Sequence, residues 1–181
     1  MDEKKTLIQI LQEQRKYAHH FEWPDKQIKE KGVVECLIDE MKKKGEVQWT
    51  DLRVGPHPNH APDCIATNYS GKAVAIEVTE FVSGKAIEMT KAGKNVYRNW
   101  KPEEIINRIQ KQISRKDSVS YVGGPYEAHV LVIHTDEIAL HHEAYLSVLG
   151  QASFTASTLD EVYFLFSYRP EVKGYPYVRL L

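Results

Sequence analysis

Two acidic residues, Asp63 and Glu77, are the side chains in this sequence best placed to do chemistry together. They lie within Pro62 to Glu80, where two runs of β-branched and small apolar residues, 63–68 and 72–79, flank Tyr69-Ser70-Gly71. Such runs around turn residues read as an antiparallel hairpin. A three-residue loop usually places its third residue in the left-handed region, where glycine has no Cβ to clash, and Gly71 stands there. The loop then pairs Asn68 with Lys72, and each step back keeps the paired numbers summing to 140, which sets Asp63 opposite Glu77. Like charges opposed with Cβ atoms roughly 5 Å apart destabilise a sheet, so compensation is expected. A hard divalent cation, Mg²⁺ or Mn²⁺, supplies it: the ion takes carboxylate oxygens and retains waters that can be activated for attack on a phosphodiester. One protonated carboxyl, a nearby Lys or Arg, or a loop register that separates the pair would also relieve it.

The elements around the hairpin must hold these two residues. From Lys26 to Lys44, Val34, Leu37, Ile38 and Met41 recur at helical spacing, with Gly45 as a stop after three lysines. Residues 46–54 alternate Val47, Trp49 and Leu52 with polar types and read as a half-buried strand. A stiff loop, Gly55-Pro56-His57-Pro58-Asn59-His60, then delivers the chain to Asp63. His57 and His60 could touch a metal or substrate, but their spacing specifies no known site and a plain loop role is favoured. Pro102 opens a second helix whose Ile105, Ile106, Ile109 and Ile113 share one face. Residues 128–135 are almost continuously apolar, as in a strand buried on both faces. A helix over 137–149, an aromatic strand over 161–168 and an edge strand over 175–181 follow and read as structural. Residues 2–20 carry a helical signal ending in His19-His20, whose adjacent side chains diverge on a helix and so make a poor metal site.

At 181 residues, with 24 basic and 25 acidic side chains, the chain fits one domain, 26–181, preceded by a peripheral helix and linker over 1–25. The net charge of -1 neither announces nor excludes nucleic acid. Cys36 and Cys64 sit in apolar stretches without metal-ligand spacing, as reduced core thiols do. No basic-then-apolar leader and no run of membrane-spanning length is seen, so a cytoplasmic protein is expected. Phosphate-loop, dinucleotide and zinc-finger patterns are absent.

Taken together, Pro62-Asp63, a glycine turn, an apolar strand and Glu77-Val78-Thr79 resemble the PD-(D/E)XK nuclease superfamily. The resemblance implies an α/β fold, a mixed central sheet flanked by helices, with a restriction-endonuclease-like core ordered helix, three strands, helix, strand over roughly 26–135. It implies metal-dependent phosphodiester hydrolysis, in DNA more than RNA, by an endonuclease that is a possible homodimer. Asp63 would bridge or ligate Mg²⁺ (or Mn²⁺), Glu77 would be a second ligand, and the Val78 carbonyl would complete the protein shell. Glu35 on the first helix would ligate through water or position a second ion, with Glu30, which lies on the apolar stripe, as the alternate. Thr79 stands where the family usually carries its lysine; it can hydrogen-bond a water but supplies no positive charge. Lys85, Lys94 and Lys101 lie on segments that could reach the site instead, whereas Lys111 sits opposite the isoleucine stripe and should point outward.

Between residues 85 and 116 the chain carries nine basic residues, Lys85, Lys91, Lys94, Arg98, Lys101, Arg108, Lys111, Arg115 and Lys116, against Glu88, Glu103 and Glu104. With Tyr97 and Trp100 interleaved, the stretch suits a surface that tracks phosphates and stacks unpaired bases, with Lys91, Lys94, Arg98 and Lys101 as the nucleic-acid contacts. A solvated loop and helix face would look the same. The competing expectation is a non-catalytic module that keeps the fold and uses this region to hold nucleic acid or protein. The missing lysine favours it, and two retained acids that are costly to bury without a use oppose it.

Overall fold

The computed structural model describes residues 25–56, 61–84, 100–137, 140 and 142–181. The helix expected over 2–20 with His19 and His20, and the loop residues His57 and His60, lie outside them.

Helix α1 spans Lys26–Lys44. Asp25 caps it, its side chain accepting the Gln27 amide at 2.8 Å, and Lys42, Lys43 and Lys44 complement the dipole of the last turn. Gly45 ends it in the left-handed conformation at φ 72°, which a residue with a Cβ rarely adopts.

Six strands follow: β1 Trp49–Val54, β2 Cys64–Asn68, β3 Ala73–Glu80, β4 Ala128–His134, β5 Glu161–Leu165 and β6 Tyr177–Arg179. They form one mixed sheet in the order β1-β2-β3-β4-β5-β6. The β3/β4 and β4/β5 pairs are parallel and the others antiparallel. The β2/β3 hairpin runs from Cys64↔Ile76 to Thr67↔Ala73, the register that a loop at Gly71 dictates. The loop closes through the Asn68 amide to the Lys72 carbonyl at 2.9 Å, with Gly71 at φ 74°.

The even-numbered residues of β3 face α1. Val74, Ile76 and Val78 pack there with Val34, Leu37 and Met41 and with Val130 and Val132 of β4. The other face of the sheet receives α2, Pro102–Asp117, and α3, His142–Gln151, over a second core that includes Ile105, Ile109, Ile113, Leu131 and Ile133. The chain is thus an α/β domain with helices on both faces of a mixed sheet, as its apolar patterns require. Among the described residues no helix is long and apolar enough to cross a membrane.

Several boundaries differ from expectation. β1 begins at Trp49, three residues late, the aromatic strand expected over 161–168 is Glu161–Leu165, and the last strand is only Tyr177–Arg179. The helix expected over 137–149 is described as His142–Gln151, and the Glu137 carboxylate accepts the Ser83 amide at 2.6 Å and its carbonyl the Leu140 amide at 3.0 Å.

Candidate active site

β3 opens with four apolar residues, Ala73 to Ile76, before its first acid, Glu77. Glu77 is only 5% exposed, and a carboxylate so deeply buried needs a partner. Odd-numbered positions of β3 face α2, and the partner comes from there: the Lys116 ammonium binds Glu77 Oε2. Thr79, two residues on, is also buried and lies on the same face.

A row of side chains on α2 sets this contact. Arg108, Gln112 and Lys116, four residues apart, align on one flank of the helix. Arg108 donates to the Val82 carbonyl, Gln112 Nε2 to the Glu80 carbonyl at 2.8 Å, and Lys116 to Glu77. The row runs antiparallel to the chain from Glu77 to Val82 and fixes α2 lengthwise across the end of β3.

Asp63 sits at the start of β2, one residue before the ladder. Its backbone is held by β1, since the Gly55 amide donates to the Asp63 carbonyl at 3.0 Å. The approach requires a glycine: a Cβ at residue 55 would lie 1.8 Å from the Pro62 carbonyl oxygen, which is backbone and cannot swing aside. The Asp63 side chain accepts the Val78 amide through Oδ2 at 2.8 Å. Val78 therefore enters the site through its N–H, a donor, besides the carbonyl expected to face a metal.

The first turn of α1 closes the cluster from the other side. Glu30 is buried, and Lys26 Nζ lies 3.0 Å from Glu30 Oε1 and 4.0 Å from Asp63 Oδ1. Burial, and then the charge of Asp63, push the Glu30 carboxyl up to about 6. Burial and then Asp63 also raise Glu77, against the pull of Lys116 and Lys26. Lys26 is raised in turn, first by its bond to Glu30. Three carboxylates are thus set against two ammonium groups.

Tyr121, just beyond α2, lies against the same charges. Burial and then the charges of Glu77 and Asp63 raise its phenol, its ring meets His129 edge-on at 5.3 Å, and its buried hydroxyl has no hydrogen-bond partner among the described residues. A second acidic pair lies where the parallel strands end. Asp136 is pushed up to about 6 by burial and the charge of Glu80, and Glu80 Oε2 lies 3.8 Å from Lys29 Nζ.

Of the expected site residues, Asp63 bonds the Val78 amide and its charge acts on Glu77, while Thr79 lies on the Glu77 face of β3. Glu35 does not join them: it is exposed and pairs with Lys31 on the surface of α1, because it lies beside the apolar stripe. Glu30, on the stripe, is the helix carboxylate that reaches Asp63. Lys101 is exposed at the start of α2, where its amide donates to Glu104 Oε2 at 3.4 Å. Lys85, Lys91, Lys94 and Arg98 lie outside the described residues. Trp100 offers no face to a base, since it is 4% exposed and packs on Phe81 with ring centroids 4.9 Å apart.

Sequence reasoning passed over Lys116 and Lys26. The signal for Lys116 was present: it lies seven residues after Ile109 and three after Ile113, so it continues the isoleucine stripe that faces the sheet. A lysine on a core-facing stripe calls for a buried acid. Lys26 gave no such signal, because its side chain is 79% exposed and meets the carboxylates only at its tip.

Two hard oxygen donors, Asp63 just before β2 and Glu77 within β3, lie near enough for the charge of the first to act on the second, with an ammonium bonded to the second. Among the described residues no group of three or more His, Cys, Asp or Glu side chains is arranged to hold a metal ion. Compared with protein-family models, with curated proteins and with solved structures, the chain finds no match.

Proposed function

We propose that this chain is a metal-dependent nuclease that hydrolyses phosphodiester bonds, in DNA before RNA, from a PD-(D/E)XK-like core. The observation that carries the reading is the convergence of Asp63 and Glu77 with the Lys116 ammonium on the second carboxylate. The order of elements, α1, β1, β2, β3, α2, β4, supports it, being the order the resemblance implies.

The donor set fits Mg²⁺ or Mn²⁺. Mg²⁺ keeps several waters and is usually held by one or two carboxylates plus substrate phosphate, so a closed cage of three protein ligands is not required. The carboxyls of Glu77 and Glu30 are raised first by burial and then by the charge of Asp63, which Lys116 and Lys26 oppose. Asp63 and Glu77 would hold the ion, with the Val78 carbonyl completing the protein's share of oxygens. When bound, the ion polarises a phosphoryl oxygen and lowers the pKa of a coordinated water.

The chain's own residues do the rest. Lys116 takes the place of the lysine absent at Thr79: it reaches the same carboxylate from α2 and brings a positive charge to a site where negative charge builds up on phosphate. Thr79 offers a hydroxyl on the same face. Glu30, rather than Glu35, supplies the helix carboxylate, and Lys26 holds Glu30 in place. Cys36 and Cys64 are buried and unbridged, which suits the reducing cytoplasm.

A second reading has its own observation. Lys116 already neutralises Glu77, and the carboxylates form no three-donor cluster, as in a module that holds nucleic acid without cutting it. The experiment that separates the two is cleavage of DNA and RNA with and without Mg²⁺ or Mn²⁺, for the parent and Asp63→Asn, alongside metal-free thermal unfolding. Asn keeps an oxygen for the Val78 amide and removes a charge that opposes Glu30 and Glu77. The variant should therefore lose cleavage and be at least as stable as the parent. Metal-independent cleavage, or equal activity in the two proteins, would exclude this site; a parent that binds but never cleaves would establish the module.

A further inference from the structure

The outer flank of α2 carries a groove of about 620 Å³ beside the candidate site. Its lining includes Trp100, Arg108, Lys111, Gln112 and Arg115, with one acid, Glu104. The volume lies within the range of pockets that hold organic ligands, about 300–1,000 Å³, and charged side chains stand along it. Three of its lining residues are cations, spaced at i, i+3 and i+7 on one helix.

We infer that this groove is the track on which the chain holds a nucleic-acid phosphate backbone and leads it to Lys116 and Glu77. The inference rests on the reading above for the choice of nucleic acid as the polyanion. Arg108 is the fixed member. Its guanidinium donates to the Val82 carbonyl and lies 5.3 Å from the ring centroids of both Phe81 and Trp100, so its charge is already in position before any ligand arrives.

Lys111 and Arg115 are the adaptable members. Both are exposed, and neither has an ion-pair partner among the described residues. At 1.5 Å rise per residue they lie about 6 Å apart along the helix axis, and the three cations together span about 10 Å. The direction is set by the helix: Arg115 lies in the last turn of α2, the turn that also carries Lys116, whose side chain diverges from that of Arg115 and bonds Glu77. A strand lying along the cations therefore runs toward the end of α2 that meets Glu77. Glu104 lies one turn before Arg108, at the end far from Glu77, where a negative charge interferes least.

The test is binding of a labelled duplex and a labelled single strand, each about 20 nucleotides, by fluorescence anisotropy without divalent metal and over a salt series. Lys111→Gln/Arg115→Gln is compared with the parent and with Lys42→Gln, a lysine on the last turn of α1 that bonds Asp39. Each phosphate contact contributes a slope of about 0.9 in log K against log salt for duplex and about 0.7 for single strands, so the double variant should lose about 1.8 or 1.4 units. The duplex loss corresponds to about 60-fold weaker binding at 0.1 M salt, converging on the parent near 1 M. Lys42→Gln should bind as the parent does.

An unchanged slope in the double variant overturns the groove, as does a parent that binds no nucleic acid. Competition by polyglutamate as effective as unlabelled DNA of equal charge also overturns it, in favour of an acidic protein partner. Cleavage by the parent with Mg²⁺ is scored separately. Groove-dependent binding without cleavage removes the nuclease reading and keeps the groove, whereas cleavage with unchanged binding in the double variant removes the groove alone.

Discussion

Replacing Lys116 by Met tests the central pair most directly, because Met keeps much of the apolar stem and removes the ammonium. The Lys116 and Glu77 side chains are 21% and 7% exposed. Removing one partner of a buried pair costs about 3–5 kcal/mol, and the solvent contact at Lys116 places this case near the low end, about 3 kcal/mol. For a domain of this size that is roughly 8 °C in the melting temperature. The deficit should depend on pH with a defined sign. Glu77 already titrates above its ordinary value of 4.5 in the fold, and loss of Lys116 raises it further. Below 4.5 the carboxyl is protonated in both folded and unfolded chains, so the missing ammonium costs little. As the pH rises the unfolded chain ionises first, while the folded variant must hold its proton or bury an unpaired charge. The deficit therefore opens as the pH passes the parent's own raised Glu77 value, above 4.5, and levels off beyond the still higher value of the variant. The measurement is metal-free thermal unfolding of parent and variant from pH 4 to 8. Equal melting temperatures at pH 8, or a deficit of the same size at pH 4, would refute the argument that Lys116 supports a buried ionised Glu77.

Gly55→Ala should destabilise the chain by about 1–3 kcal/mol, since the new Cβ cannot fit against the Pro62 carbonyl, and should weaken Mg²⁺ binding because Asp63 shifts with that backbone. Urea unfolding and calorimetric Mg²⁺ titration would check this, and parent-like values in both would remove Gly55 from the positioning of Asp63. Glu30 is raised to about 6, so its contribution to stability is complete below 4.5 and is lost as the pH passes through about 6. Glu30→Gln should consequently gain on the parent across that window by up to about 2 kcal/mol, whereas exposed Glu35→Gln should track the parent. Urea unfolding at pH 4.5 and pH 7.5 reads the difference, and the reverse ranking would restore Glu35 to the site.

The hairpin was legible in the sequence because its determinants are local. Gly71 sets a three-residue loop, the loop sets the register, and the register sets Asp63 against Glu77 without reference to any distant residue. The helix 26–44 and the start of the helix at Pro102 were legible for a similar reason, since apolar periodicity, Pro102 and Gly45 mark faces and ends, whereas the Asp25 cap and the end at Asp117 came from the structure. What the charges touch was decided only by the tertiary structure. Whether Glu30 or Glu35 meets Asp63 depends on how α1 is rotated over the sheet, and the burial of Val34, Leu37, Ile38 and Met41 turns Glu30 inward and leaves Glu35 in solvent. The cation at Glu77 comes from a residue 39 positions later in the chain, because the isoleucine stripe of α2 lays that helix along the end of β3. Local sequence carries register and amphipathic phase, whereas the meeting of Glu77, Lys116, Asp63 and Lys26 depends on packing two helices against opposite faces of one sheet.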